Sequence, residues 1–467
     1  MVGIAKYSSY VPRLRLSRGE IARAWGRDPG AAGEIAVANY DEDAFTIGVE
    51  AAWSCIEGSP RLPDGLLFAT TSAPYFEKQL SAFAATVCDL PRSTFCCDLA
   101  GSARAGIQGV IAASSLVSAG RLGSCLVVAG EARVAEPESE WEGLLGDGGA
   151  AVLISNDHVV AEIVDWASVS EEFTYFWRTD TSPFVRAAIG KFSQSQGYVR
   201  DLGEAMRTLM ARHGLGPSEV AKLVLHAPEP RAAGDLCRTL GFDSKRQLGP
   251  VISAAIGSAG AAESLLALGA VLDEAEPNQW LMVAAFGEGA DVVLLRTTSL
   301  VADGRAGAPW KNWLEAKLPL PSYQKYLKYR GILRQEESGE TITNVLEAKE
   351  LEQNIRLHGC RCRVCGTVQY PLAEVCISCR TPRQMERVRL PRSGKIFTYT
   401  LDYLIANVEH PLPMAVVDLD GGGRLYLQVT DFAEGEVDVG RAVTLTFRRL
   451  HQGGHNYNYF WKARPTR

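Results

Sequence analysis

The sequence predicts an α/β protein in which two similar halves stack as five alternating layers, αβαβα, followed by two small β-rich modules. Three observations lead there. One segment occurs twice with the same order of helix, turn and strand. Strand-like apolar runs alternate with helical patterns in both copies. After residue 297 the composition changes abruptly to charged and aromatic residues, then paired cysteines, then short strands.

The repeated segment runs first from Ala105 to Arg133 and again from Ser258 to Asp291. Each copy reads as a helix rich in Ala, Ser and Gly, a turn, and an apolar strand that ends in glycine. Helices so poor in charge and so small in side chain cannot lie on a surface, so both are expected at the centre of the layers. Further strand-like runs flank them: Gly65 to Thr71 and Ala151 to Ser155 in the first half, Lys222 to His226 and Val292 to Arg296 in the second. Strands alternating with helices indicate α/β units, and the two halves together define a first domain over residues 1–297.

Residues 298–357 read as a connector with its own helix, and Trp310, Trp313, Tyr323, Tyr326 and Tyr329 are expected to lay it on a domain surface. Residues 358–388 contain Cys362, Cys365, Cys376 and Cys379, two CxxC pairs. Two such knuckles place four thiolates around a tetrahedral ion and leave no open position, the arrangement of a structural zinc ribbon. Cys360 lies two residues too early to belong to the knuckle. Over residues 389–467, strand-like segments beginning near Lys395, Pro413, Arg424 and Ala442 are separated by glycine-rich turns, which suits a small closed barrel of OB type.

The chain of 467 residues is 46% apolar and 22% charged, the balance of a folded globular protein, and its net charge of -6 argues against a nucleic-acid partner. The N-terminal residues lack the apolar core of a secretion signal, and no stretch reaches about 18 apolar residues, so a cytoplasmic protein without a membrane span is expected. Of the 11 cysteines, the four in CxxC spacing are expected to hold metal; Cys55, Cys88, Cys96, Cys97, Cys125, Cys237 and Cys360 read first as small buried hydrophobes. The glycine-rich GDGG and GEG stretches do not have the spacing of a phosphate cradle, and both read as turns.

Several motifs carry a family resemblance. Leu223 to Phe242 resembles the strand-His-x-Pro-helix segment of HMG-CoA synthases, Ser253 to Ala275 their Gly-Asn helix start, and Val283 to Leu295 their glycine-rich strand. Leu144 to Ile154 is similar to the Gly-Asp-Gly-Ala turn shared with β-ketoacyl-ACP synthase III. Residues 1–297 therefore resemble the thiolase superfamily, and the tail resembles zinc-ribbon and OB-fold proteins that accompany such enzymes and act on acyl-CoA substrates. The resemblance implies the five-layer thiolase fold and a homodimer. It also implies an acyl-CoA or acyl-carrier-protein thioester substrate and enzymatic making or breaking of carbon–carbon bonds.

In that family a cysteine at the start of the first central helix forms an acyl-enzyme, a His and an Asn polarise thioester carbonyls, and a Glu moves protons. A helix N-terminus suits the first role, because it lowers a thiol pKa and donates N–H groups to an oxyanion. His226 matches the family histidine. Ser258 takes the place of the Asn and is shorter. The cysteine position falls on Ala103 or, with one gap, on Ser102, while Cys97 would need an insertion to reach it. The family Glu falls on Thr71, with Tyr75 and Glu77 nearby as alternative bases. Three chemistries follow: aldol or retro-aldol reaction on a β-hydroxyacyl-CoA without an acyl-enzyme, Claisen condensation through Cys97 or Ser102, or a silent scaffold that binds acyl-CoA.

Overall fold

The computed structural model describes residues 1–28, 32–188, 190–333, 344–404, 411–453 and 456–466; the polar middle of the expected connector, residues 334–343, lies outside them. The chain divides into two compact units. Met1–Ala38, Asp43–Ala85 and Leu90–Tyr326 form the first; Asn39–Glu42, Thr86–Asp89 and Leu327–Arg467 form the second. Among the described residues no helix is long and apolar enough to cross a membrane.

The main sheet of the first unit has nine strands: β1 (Gly3–Tyr10), β2 (Gly65–Ala69), β3 (Phe95–Leu99), β4 (Ser124–Glu131), β5 (Gly148–Ser155), β6 (Ala161–Ser170), β7 (Val220–Leu225), β8 (Trp280–Phe286) and β9 (Gly289–Thr297). Their order is β7-β8-β9-β6-β1-β5-β4-β2-β3. The two halves repeat one pattern. In the first, β1 runs antiparallel to β5, β5 antiparallel to β4, and β4 parallel to β2. In the second, β6, β9, β8 and β7 repeat those relations in turn. The edge strand β3 pairs in parallel with β2 and has no counterpart in the other half. The sequence suggested sheets separated by helices; the structure joins the half-sheets through two residue pairs, Gly3 with Glu162 and Ile4 with Ala161. Glycine is needed at the join, because a Cβ on Gly3 would stand 2.1 Å from the Ala161 carbonyl oxygen.

Five helices make the other three layers: α1 (Ala44–Ile56), α2 (Ala105–Ser118), α3 (Arg200–His213), α4 (Pro230–Leu240) and α5 (Gly260–Leu272). The repeated segment becomes α2 followed by β4 and α5 followed by β8. Every residue of α5 is buried, as a helix apolar on all sides requires. α2 and α5 approach so closely that a Cβ on Gly106 would lie 2.3 Å from the Ala261 carbonyl oxygen. Outside, α1 opens on a capping box between Asp43 and Thr46, which satisfies two N–H groups that would otherwise be buried without partners. α3 and α4 pack an apolar face on the second half-sheet, and each stops at a left-handed glycine, Gly214 and Gly241. Trp310, Tyr323 and Tyr326 of the expected connector are buried.

In the second unit β10 (His358–Cys362) and β11 (Met385–Arg389) pair across the cysteine module. Beyond them β12 (Ser393–Asp402), β13 (Leu412–Leu419), β14 (Arg424–Gln428), β15 (Ala442–Gly453) and β16 (Asn456–Pro465) form an antiparallel sheet in the order β14-β13-β12-β15-β16. A bridge from Val429, just past β14, to Ala463 on β16 closes this sheet on itself. Closure is how a small sheet disposes of its edges.

Candidate active site

In the first unit a cavity of about 210 Å³ opens where the start of α2 meets the turn between β8 and β9; Thr71, Ser102, Ala103, Arg133, Phe286 and Glu288 stand in its wall. The chain leaves β3, turns at Gly101 (φ 87°), and enters α2 with Ser102 and Ala103 facing the cavity. No side chain caps this helix start. Opposite it, Gly287-Glu288-Gly289 reverses the chain from β8 into β9. A Cβ on Gly287 would come within 2.6 Å of the Ser102 hydroxyl oxygen, so a larger residue there would have to turn that hydroxyl away. Arg104 fastens the two together, donating to the carbonyl oxygens of Val169 and Glu288 at 3.1 Å each and pairing with Asp291 at 3.4 Å.

Behind the cavity lies a buried polar chain. Arg133 is 4% exposed and reaches the cavity wall; its Nη2 donates to the Ser258 hydroxyl oxygen at 3.0 Å and to the Ser258 carbonyl at 3.1 Å, while its Nε has no hydrogen-bond partner. The Ser258 hydroxyl donates to Glu263 at 2.6 Å, and Glu263 also accepts the Ala227 N–H at 2.9 Å. His226 Nε2 lies 3.7 Å from the same carboxyl, and among the described residues neither ring nitrogen meets a hydrogen-bond partner at good geometry. Burial pushes the Glu263 carboxyl up to about 7, against the pull of Ser258, Ala227 and Arg133. Burial also brings the His226 imidazole down to about 3, with Arg133 adding to the effect, so the ring is neutral at working pH.

A second buried carboxylate, Glu131, ends β4. It accepts the Thr71 N–H at 2.6 Å, the Thr71 hydroxyl at 3.1 Å, the Ser72 hydroxyl at 2.6 Å and the Ala261 N–H at 3.2 Å. Four donors leave this group little capacity to take a proton from a ligand.

Thus Ser102 lines the cavity, as do Ala103 and Thr71, whereas His226 and Ser258 are fully buried behind Arg133. Cys97 sits in β3 opposite Leu67, its Sγ 3.7 Å from the Asp98 carbonyl, and no cysteine lines the cavity among the described residues. Tyr75 lies under the Lys78 ammonium and Glu77 points to solvent; Phe76, between them, is the one that borders the cavity. Sequence reasoning passed over Arg133, Glu263 and Glu288. The available signal was a lone charge within a run too apolar to be solvated, in SAGAAESLLALG and at the end of β4, and an acid between two glycines.

In the second unit the ligand atoms of Cys362, Cys365, Cys376 and Cys379 lie within 4.8 Å of one another, with Cys362 and Cys379 sulfurs 3.6 Å apart and those of Cys365 and Cys376 3.5 Å apart. Tetrahedral zinc–thiolate bonds of about 2.3 Å require sulfurs roughly 3.8 Å apart, so the donor set fits. The knuckles copy each other: Gly366 N–H bonds to Cys362 O at 2.9 Å and Arg380 N–H to Cys376 O at 3.1 Å, both residues with left-handed φ.

The chain is 30% identical over 346 residues to a hydroxymethylglutaryl-CoA synthase of Pyrobaculum aerophilum, a match that covers 71% of this chain and 98% of that one. It is 31% identical over 342 residues to the synthase of Archaeoglobus fulgidus, with coverage of 71% and 98%. In three dimensions it is similar to MvaS in complex with 3-hydroxy-3-methylglutaryl coenzyme A, with a TM-score of 0.63 and 19% identity over 73% of this chain and 94% of that one. Residues 387–448 match the family described as the C-terminal OB-fold domain of ChsH2.

Proposed function

From the premise that this chain belongs to the hydroxymethylglutaryl-CoA synthase family, we propose that it makes or breaks a carbon–carbon bond on a CoA thioester without passing through an acyl-enzyme. One observation carries the second half of that reading: Ala103, which cannot hold an acyl group, stands at the helix start in the cavity wall, and no cysteine joins it there among the described residues. An aldol-type step on a β-hydroxyacyl-CoA needs only stabilisation of the thioester enolate and a base for the hydroxyl proton. The cavity's 210 Å³ suits a short acyl end, with the remainder of the CoA outside.

The carbonyl-polarising role then falls to Arg133, the buried cation that reaches the cavity. Ser258 aims its guanidinium, Glu263 fixes Ser258, and neutral His226 closes the chain without adding a competing charge. In this reading His226 is a positioning residue. The four cysteines would hold one structural zinc ion, which folds the ribbon and takes no part in the chemistry. We also read the protein as a cytoplasmic homodimer. All eleven cysteines are free, as in a reducing compartment, and β3 leaves an exposed sheet edge carrying Phe95 at 47% exposure, a surface a second copy would cover. A strictly monomeric mass by light scattering at micromolar concentration would remove the dimer.

The test of the chemistry is intact-protein mass spectrometry with acetyl-CoA and longer acyl-CoAs, beside turnover of 3-hydroxyacyl-CoAs. The expected result is turnover with no acyl adduct, and a loss of about 10²–10³-fold in kcat for Arg133→Met. An adduct that vanishes in Cys97→Ala or Ser102→Ala would restore Claisen condensation. Absence of turnover of every thioester would leave an acyl-CoA-binding scaffold.

A further inference from the structure

The family carboxylate at Thr71 is gone and Glu131 is saturated, yet an aldol step needs a group that accepts the β-hydroxyl proton. We propose that Glu288, carried by the turn between β8 and β9, is the acid–base residue of this site, an inference that rests on the non-covalent reading above.

Four observations carry it. Glu288 lines the same cavity as Ser102 and Ala103, on the turn that meets the helix start, where an acyl group would lie. Its backbone is held at φ +44°, a left-handed conformation that a glutamate adopts only at a cost of about 1–2 kcal/mol, between two glycines that would take it freely. Such strain persists only where surrounding structure enforces it, and here Arg104 grips the Glu288 carbonyl at 3.1 Å. Finally, among the described residues the cavity wall holds two carboxylates, and Glu288 is the partly buried one, whereas Asp180 is exposed.

The electrostatics suit the role. Burial raises the Glu288 carboxyl above the ordinary range, and Glu172 raises it further, while the Ser102 hydroxyl and Arg104 pull it back. Arg133 and Arg178 are the other charges that face the cavity besides Asp180. A carboxylate moved toward neutrality is a stronger base than one at the usual value.

In the cleavage direction Glu288 takes the proton of the β-hydroxyl. The bond between Cα and Cβ breaks, Cβ leaves as an aldehyde or ketone, and the electron pair moves into the thioester enolate facing Arg133. The protonated Glu288 then returns its proton to Cα. One β-hydroxyacyl-CoA becomes one acyl-CoA and one carbonyl compound, with no other reactant; condensation is the reverse.

The experiment follows exchange of the α-hydrogens of acetyl-CoA and hexanoyl-CoA in D2O by mass spectrometry, and cleavage of 3-hydroxybutyryl-CoA and 3-hydroxy-3-methylglutaryl-CoA, across pH 5–9. Glu288→Gln is expected to slow both reactions by about 10²–10⁴-fold with an unchanged melting temperature, and to abolish the acid limb of the pH profile. Glu288→Asp should recover part of the rate. Ser102→Ala, which removes a hydroxyl that holds the Glu288 carboxyl down, should move the acid limb to higher pH. Full activity in Glu288→Gln, or an acid limb unmoved by Ser102→Ala, overturns the assignment while leaving the non-covalent reading intact. A wild-type enzyme that neither exchanges nor cleaves any of the four thioesters overturns both.

Discussion

Replacing Glu263 by Gln should make the protein more stable at neutral pH, by an amount that depends on pH in a specified way. The carboxyl is buried, and its folded pKa of about 7 lies above the ordinary value of 4.5. A raised acid binds its proton more tightly in the folded state, so its contribution is fully present below pH 4.5 and is lost as pH climbs through about 7. At about 1.36 kcal/mol per unit, ionised Glu263 costs roughly 3 kcal/mol above neutrality. His226 works in the opposite direction. Its folded pKa of about 3 lies below 6.5, so its contribution is complete above pH 6.5 and declines as pH falls toward 3, by roughly 2 kcal/mol at pH 5. Between pH 4.5 and 6.5 the two slopes nearly cancel, and the wild type hides both.

The variants separate them. Gln at 263 can still accept the Ala227 N–H and bond to Ser258, so its packing loss is small. Urea unfolding at half-unit pH steps should show the stability difference between Glu263→Gln and wild type growing from near zero at pH 4.5 to about 3 kcal/mol at pH 7.5. His226→Asn should remove the decline below pH 6.5 and expose the opposing slope. A Glu263→Gln difference that is flat with pH, or that favours the wild type at pH 7.5, would refute the assignment of a buried, proton-sharing carboxyl.

Three other outcomes are expected. Ala103→Cys should gain a thioester adduct with acetyl-CoA, absent from the wild type in the same mass spectrum, because the uncapped start of α2 lowers a thiol's pKa. Gly106→Ala should destabilise by about 2 kcal/mol or more in thermal unfolding: the helix-propensity gain of about 1 kcal/mol is outweighed by a Cβ placed 2.3 Å from the Ala261 oxygen. Elemental analysis should find close to one zinc per chain, and Cys376→Ser should release it and make the C-terminal unit sensitive to protease; a variant that keeps its metal contradicts the ribbon.

The central helices, the cysteine module and the closed barrel were legible because each is a local pattern: charge-free helical stretches, a fixed ligand spacing, short strands between glycines. The strands β1, β3 and β6 were not. β1 is a mixed apolar and polar run whose partners lie about 150 residues away, and β3, at the sheet edge, has no clean alternation. Ala103 and Thr71 could be placed by resemblance, since both substitutions fall inside motifs with a recognisable frame. Their replacements could not. Arg133 and Glu288 enter the cavity from segments that follow different strands, and nothing local in the sequence tells that the GEG turn faces the helix start rather than solvent. The turn itself was read correctly; its charged residue was the information discarded.

The join at Gly3 also sets the order in which this fold can be completed on the ribosome. β1 is made before its partners, which are β5, at residues 148–155, and β6, at Ala161 and Glu162. Until those partners have left the exit tunnel, that strand has both edges open and neither sheet neighbour to pair with. β1 is thus made well before it is satisfied, and nascent chains stalled before residue 155 should bind chaperones far more than those stalled beyond the second half-sheet.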